Sequence, residues 1–105
     1  PIVPPPDFAR WERLVGGFLD AAAARFGADA LARWWFEAWN EPNMPQFWRG
    51  GFDHYLALYR ATARAAAAHG IRLGGPALAW FPEADGAGWM ERFLRVLAAE
   101  PDLPC

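Results

Sequence analysis

Two short hydrophobic runs, each followed by proline, alternate with three segments of helical periodicity along this chain of 105 residues. The runs span 31–39 and 71–75, and their continuous apolar character is typical of buried strands covered on both faces. Strands that alternate with helices require crossover connections, which place the strands parallel in one sheet. The order helix, strand, helix, strand, helix therefore predicts an α/β fold.

The helical segments carry further expectations about their ends and their packing. Asp7 and Asp53 stand where a carboxylate would cap the first and second helices. The first helix contains Gly16 and Gly17, each of which costs about 1 kcal/mol against alanine. We therefore expect a close neighbour to pack against these glycines. A loop is expected over 77–87, before the third helix.

Two strands are too few to cover the apolar faces of three helices, so we expect the chain to form part of a larger sheet. The pattern fits a (β/α)8 barrel, typically about 250 residues, as well as it fits a doubly wound sheet. The chain starts at Pro1 rather than Met and stops at Cys105. We interpret 1–105 as an internal piece of one longer domain.

Composition restricts the chemistry that the chain can perform. Because it contains no Ser and no Lys, a Ser-His-Asp triad and a Schiff-base lysine are excluded. His54 and His69 lack the clustered partners of a metal site, and no phosphate-binding glycine motif is present. We predict no cofactor and no metal, so any chemistry would be carboxylate chemistry. A net charge of -2 and the lack of an apolar run of 18 residues argue against nucleic-acid and membrane partners.

The sequence FEAWNEPN places one acid at a suitable position for such chemistry. Glu41 follows the first predicted strand, and α/β folds place their sites at the carboxyl ends of strands. Pro42 would end strand pairing, Trp39 would shield the carboxylate from water, and the amide of Asn40 suits a sugar hydroxyl. A polar turn formed by Glu41 and Asn43, without a chemical role, fits equally well.

Other acids are weaker candidates. Glu37 precedes Glu41 by four residues, about 13 Å along an extended strand. Glycosidase carboxylates stand about 5–5.5 Å or 6.5–9.5 Å apart, so we interpret Glu37 as the buried partner of an arginine. Glu83 and Asp85 are expected to be exposed loop acids. Four acids on the predicted helices are interpreted as solvated: Glu12, Asp20, Glu91 and Glu100.

Two tryptophans, Trp48 and Trp80, fall in loops at the carboxyl ends of the predicted strands. Such rings suit the apolar faces of sugars. Packing as a core residue or a loop anchor is the favoured interpretation for each of them.

Several stretches resemble glycoside hydrolase family 39, which includes β-xylosidases and α-L-iduronidases. They run from about Pro5 to Leu94 and comprise WWFEAWNEPN, QFW, YLALYRATARA, IRLGGPA and WMERFL. The Asn-Glu-Pro core is common to many retaining (β/α)8 glycosidases, whereas the flanking residues are more specific. Phe47-Trp48 is closer to the xylosidase-like members.

The resemblance implies a partial (β/α)8 TIM barrel, from about helix 3 through helix 5, with strands 4 and 5. It implies that Glu41 is the general acid/base and that Asn40 binds the 2-hydroxyl of the sugar. The nucleophile of the family, a Glu on the seventh strand, has no counterpart in this chain.

Three hypotheses follow from these observations. The first is part of a retaining, β-xylosidase-like glycoside hydrolase that acts on a xyloside-type carbohydrate by double displacement, the isolated chain being inactive. The second is a barrel that binds carbohydrate without catalysis, and the third is an α-L-iduronidase-like enzyme. The sequence assigns neither oligomeric state nor cellular compartment.

Overall fold

Helices and two short parallel strands alternate in the computed structural model, which describes residues 2–80, 84–101 and 103. The elements are α1 (Phe8–Phe26), α2 (Ala28–Leu31), β1 (Phe36–Glu37), α3 (Gly51–Ala67), β2 (Leu73–Gly74) and α4 (Ala84–Ala99). In the sheet β1 pairs with β2, with Phe36 opposite Leu73 and Glu37 opposite Gly74. The prediction of an α/β fold with parallel strands is confirmed.

The run 31–39 does not form the single strand that its hydrophobicity predicted. Leu31 ends α2, and the hydrogen bonds Arg33 N–H to Ala30 and Trp34 N–H to Leu31 close tight turns directly after it. Only two residues then pair with β2. Apolar character alone does not distinguish the end of a helix from a strand, and the run 31–39 contains both.

One of the two predicted helix caps is correct. Oδ1 of Asp7 accepts hydrogen bonds from the amides of Ala9 (2.8 Å) and Arg10 (3.1 Å), so α1 begins as expected. The prediction for Asp53 is wrong, because α3 begins at Gly51 and Asp53 lies inside its first turn. Its carboxylate instead lies 3.4 Å from the guanidinium of Arg92 on α4.

The core forms where α3 packs against the strands, α1 and α4. Tyr59 stands at its centre and packs edge-to-face on Phe93, with the ring centroids 4.8 Å apart. Its hydroxyl donates a hydrogen bond of 3.1 Å to the carbonyl of Leu73. This bond connects α3 to β2. The largest fully buried side chains are Tyr55, Tyr59, Phe93, Leu19, Leu31, Leu58 and Pro42.

The described residues do not supply the close packing expected at the α1 glycines. Among them, no heavy atom of a neighbouring group lies within 4 Å of a Cβ built on Gly16 or Gly17. On the same helix Leu14 and Phe18 remain exposed. Part of α1 therefore faces away from the core.

Each of the four acids interpreted as solvated has a basic partner. Asp20 and Glu91 are exposed, whereas Glu12 and Glu100 are half-buried. Three of the four pairs join different helices or their ends: Glu12 with Arg64, Asp20 with His69, and Glu100 with Arg60, while Glu91 pairs with Arg95 one turn along α4. No helix within the described ranges is long and apolar enough to cross a membrane.

Candidate active site

Unusual backbone conformations gather at the carboxyl ends of the two strands. Trp39 (φ 69°), Glu41 (φ 48°) and Trp80 (φ 57°) are the non-glycine residues with positive φ in the described part of the chain. Such left-handed conformations cost about 1–3 kcal/mol each and persist only where the surrounding structure imposes them. Strain of this kind often concentrates at functional sites.

Backbone pairing between the two strands extends as far as Glu41. Asn40 forms an isolated parallel bridge with Ala77, whose carbonyl accepts a hydrogen bond of 2.8 Å from the amide of Glu41. The carbonyl of Glu41 accepts from the amide of Met44 at 3.0 Å, which closes the turn. Glu41 is half-buried at this turn, and Asn40 is exposed beside it.

Asn43 continues the pairing where the backbone cannot. Pro42 has no amide hydrogen to donate. One residue later the side chain of Asn43 donates from Nδ2 to the carbonyl of Ala79 (2.9 Å), and its Oδ1 accepts from the amide of Ala79 (3.0 Å). The sequence hypothesis treated Asn43 only as part of a polar turn, and no spacing in the sequence indicated Ala79 as its partner.

The indole rings of Trp39 and Trp48 pack against each other and hydrogen-bond to the loop that follows the turn. Nε1 of Trp39 donates to the carbonyl of Phe47 at 3.0 Å. The Trp39 ring contacts the ring of Trp48 edge-on, with the centroids 5.0 Å apart. Trp48 is buried, and its Nε1 donates to the carbonyl of Gly51 at 2.9 Å. Trp48 is therefore a loop anchor, as favoured above, whereas Trp80 is 63% exposed and differs from that interpretation.

The interpretation of Glu37 as a buried partner of an arginine is wrong. Its side chain is exposed and pairs with none of the described arginines. The estimated spacing from Glu41 assumed a continuous strand, but β1 ends at Glu37 and the backbone turns left-handed at Trp39. Glu37 contributes to its surroundings through charge. Burial, followed by smaller effects of Tyr59 and Glu37, raises the pKa of the Tyr55 hydroxyl far above its usual range.

Glu83 and Asp85 are the two acids expected in the loop 77–87. Glu83 lies outside the described residues, and Asp85 falls in α4, which begins three residues before the end of the expected loop 77–87. No group of three His, Cys, Asp or Glu in the described ranges could hold a metal ion. The described site is one half-buried carboxylate flanked by an exposed amide. It can exchange a proton and hydrogen-bond a hydroxylated ligand.

Comparisons with known proteins agree on one family. Residues 1–96 match the model of glycosyl hydrolases family 39. A β-xylosidase of Caldicellulosiruptor saccharolyticus is 36% identical over 88 residues, which is 78% of this chain and 18% of that protein. The solved structure of a family 39 β-xylosidase from Caulobacter crescentus is 35% identical with a TM-score of 0.81, over 96% of this chain and 22% of that one.

A third relative is a bacterial orthologue of human α-L-iduronidase, 30% identical with a TM-score of 0.66. The matched part covers 74% of this chain and 13% of that structure. The chain thus spans about a fifth of the length of the β-xylosidases it resembles. Since the family model covers 96 residues, the chain belongs to glycosyl hydrolases family 39.

Proposed function

We propose that this chain supplies the acid/base half of a retaining glycoside hydrolase site, with Glu41 as the general acid/base. The observation that carries the proposal is the position of Glu41 at the carboxyl end of paired parallel strands, in a left-handed turn fixed by Ala77. Catalytic groups of α/β barrels occupy that end of the sheet. Residues 1–105 would form one section of a single (β/α)8 domain, with β1 and β2 as its fourth and fifth strands.

The proposed reaction has two steps. In the first, the Glu41 carboxyl donates its proton to the glycosidic oxygen as the bond to the anomeric carbon breaks, and a carboxylate from elsewhere in the barrel bonds to that carbon. In the second, the Glu41 carboxylate takes a proton from a water molecule, whose oxygen replaces the enzyme carboxylate at the anomeric carbon. Configuration is retained because the carbon is inverted twice.

Asn40 would hold the sugar during both steps. Its amide is exposed beside Glu41 and hydrogen-bonds to no other described residue, so both its donor and its acceptor are available to a ligand. We assign it to the 2-hydroxyl, a contact that strengthens as charge develops at the anomeric carbon.

A xyloside is the proposed substrate, supported by the two β-xylosidase relatives described above. An iduronide is the second candidate, supported by the lower likeness to the iduronidase orthologue. A barrel that binds carbohydrate without catalysis is the alternative of another class, and the exposed ring of Trp80 is the feature that favours it.

The test uses a chimera in which residues 1–96 replace the matching segment of the Caulobacter crescentus β-xylosidase. Glu41→Ala should lower kcat/KM for xylobiose by about 10²–10⁴-fold, the usual contribution of general acid–base catalysis. An activated aryl xyloside needs less protonation, so its first step should suffer less, and azide should restore the second step by forming a xylosyl azide. Glu91→Gln, an exposed change on α4, is the matched control.

Full activity of the Glu41→Ala chimera on xylobiose would contradict the assignment of the acid/base. If the chimera without substitutions binds xylobiose but does not hydrolyse it, the non-catalytic alternative would be favoured. Activity on an aryl iduronide and none on xylobiose would select the iduronidase-like one.

A further inference from the structure

The proposed roles of Glu41 and Asn40 leave the ring of Trp80 unexplained. This residue follows β2, is 63% exposed and adopts a left-handed backbone with φ 57°. Left-handed φ is a genuine outlier for a bulky residue. The described residues leave this ring 63% exposed, so neither packing within them nor conformational preference explains it.

The backbone that carries Trp80 is fixed to the turn that carries Glu41. Ala79, directly before Trp80, exchanges two hydrogen bonds of 2.9 and 3.0 Å with the side chain of Asn43. Two residues earlier, the carbonyl of Ala77 accepts from the amide of Glu41 at 2.8 Å. Three hydrogen bonds therefore fix the segment 77–79 beside residues 41–43. Trp80 directly follows this fixed segment.

The parallel register explains why Asn43 is needed. The partners of Phe36, Glu37 and Asn40 each lie 37 positions further along the chain. Pro42 interrupts this ladder because it has no amide hydrogen. The amide of Asn43 copies the donor and acceptor of a peptide group, and so it extends the pairing to Ala79 after the backbone has turned away.

We propose that Trp80 is a wall of the subsite for the leaving group and that Asn43 is the positioning residue that holds it there. This inference rests on the proposed function of Glu41. A general acid must reach the glycosidic oxygen, so the surface beside it receives the leaving group. An exposed indole face suits the apolar face of a pyranose or an aromatic aglycone, since contact removes apolar area of both from water.

The test compares leaving groups in the same chimera of residues 1–96. Xylobiose offers a pyranose to the wall, whereas methyl β-xyloside offers only a methyl group. Trp80→Ala should lower kcat/KM for xylobiose by about tenfold, the scale of a lost apolar contact in a binding pocket. The value for methyl β-xyloside should stay within about twofold, and Trp80→Phe should recover most of the loss on xylobiose.

Asn43→Ala tests the positioning role. It should show the same selective loss on xylobiose while the pH–rate profile for methyl β-xyloside keeps its shape, because Glu41 retains its own bond to Ala77. A loss that is equal for both substrates, with an altered pH–rate profile, would mean that Asn43 supports Glu41 instead, and would overturn its link to Trp80.

An equal effect of Trp80→Ala on both substrates, or no effect on either, would overturn the subsite. If the Trp80→Ala chimera fails to fold, Trp80→Gly serves in its place, because glycine accepts left-handed φ without strain. The comparison is independent of the Glu41 test. Loss of activity in Glu41→Ala, together with equal rates for the Trp80 variants, would reject this inference and leave the proposed function standing.

Discussion

Nε1 of Trp11 on α1 donates a hydrogen bond of 2.9 Å to Oγ1 of Thr62 on α3, and that hydroxyl donates in turn to the carbonyl of Leu58 at 2.8 Å. Thr62 is the only threonine of the chain, and it is buried between the two helices. The hydroxyl of Thr62 thus accepts one hydrogen bond from α1 and donates another within α3. The chain of two bonds joins α1 to the core helix.

Thr62→Val should lower the free energy of unfolding by about 1–3 kcal/mol, because it keeps the shape but leaves the indole N–H of Trp11 without its acceptor. Thr62→Ser keeps the hydroxyl and should cost less. Urea denaturation of the 105-residue chain, followed by tryptophan fluorescence, measures both. In a Trp11→Phe background, which has no donor, the extra cost of Thr62→Val should shrink. An unchanged cost there would show that the two residues are not coupled.

The carboxylates of Asp7 and Asp53, both predicted to cap helices, should differ in how much they contribute to stability. Asp7→Ala removes the acceptor of two backbone amides and should cost about 1 kcal/mol of stability, whereas Asp7→Asn should retain most of the cap. Asp53→Ala removes only an exposed carboxylate and a long contact to Arg92, and it should change stability by less than about 0.5 kcal/mol. Equal losses for the two alanine variants, measured by urea denaturation, would contradict this account.

Glycine positions on α1 and before α3 should respond to alanine in opposite directions. Gly16→Ala and Gly17→Ala place a methyl group in open space on a helix, so each should stabilise the chain by about 0.5–1 kcal/mol. Gly50→Ala should destabilise it, because the added Cβ would lie 2.8 Å from the ring of Trp48 and closer still to Pro4. Thermal unfolding of the three variants tests the contrast.

The same α1 substitutions in the chimera test whether the rest of the barrel packs there. Gly16→Ala and Gly17→Ala should stabilise it as well if that part of α1 stays in solvent. Destabilisation in the chimera, with stabilisation of the 105-residue chain, would restore the expectation of a close neighbour and place it outside these residues.

The order of the elements and the parallel pairing followed from the sequence because they depend on patterns of many residues. The alternation of apolar runs with helical periodicity predicted an α/β fold, and local chemistry predicted the cap at Asp7. The prediction for the first part of the run 31–39 was wrong, since Trp34 and Trp35 favour a buried strand by composition alone. In the structure they follow a short helix, and Trp35 is 85% exposed.

The position of Glu41 at the strand end was also predictable, whereas its support was not. A proline after an acid indicates a turn, but it does not identify Ala77 and Ala79 as hydrogen-bond partners more than 30 residues away. Alanine carries no signal of its own, because only its backbone participates. The left-handed φ of Trp80 was equally hidden, since aromatic residues rarely adopt it and no sequence preference indicates it.

The environment of His69 predicts a pH-dependent contribution to stability. Its Nδ1 lies 2.8 Å from the carbonyl of Ala65, and its Nε2 lies 2.8 Å from Oδ1 of Asp20. Both neighbours are acceptors, so both ring nitrogens donate only in the protonated imidazolium. The hydrogen bond to Ala65, followed by that to Asp20, raises the pKa of His69 above its ordinary value.

A group whose pKa is raised on folding stabilises the folded chain fully below its unfolded pKa, about 6.5 for histidine, and loses that contribution as pH rises through the folded value. As pH rises above about 6.5, the free energy of unfolding should therefore fall more steeply for the native chain than for His69→Gln. Asp20→Asn should show an intermediate slope, because the bond to Ala65 remains. Since Asp20 is exposed, 0.5 M salt, about three times physiological ionic strength, should weaken its share. Parallel curves for the native chain and His69→Gln would show that this histidine does not link protonation to folding.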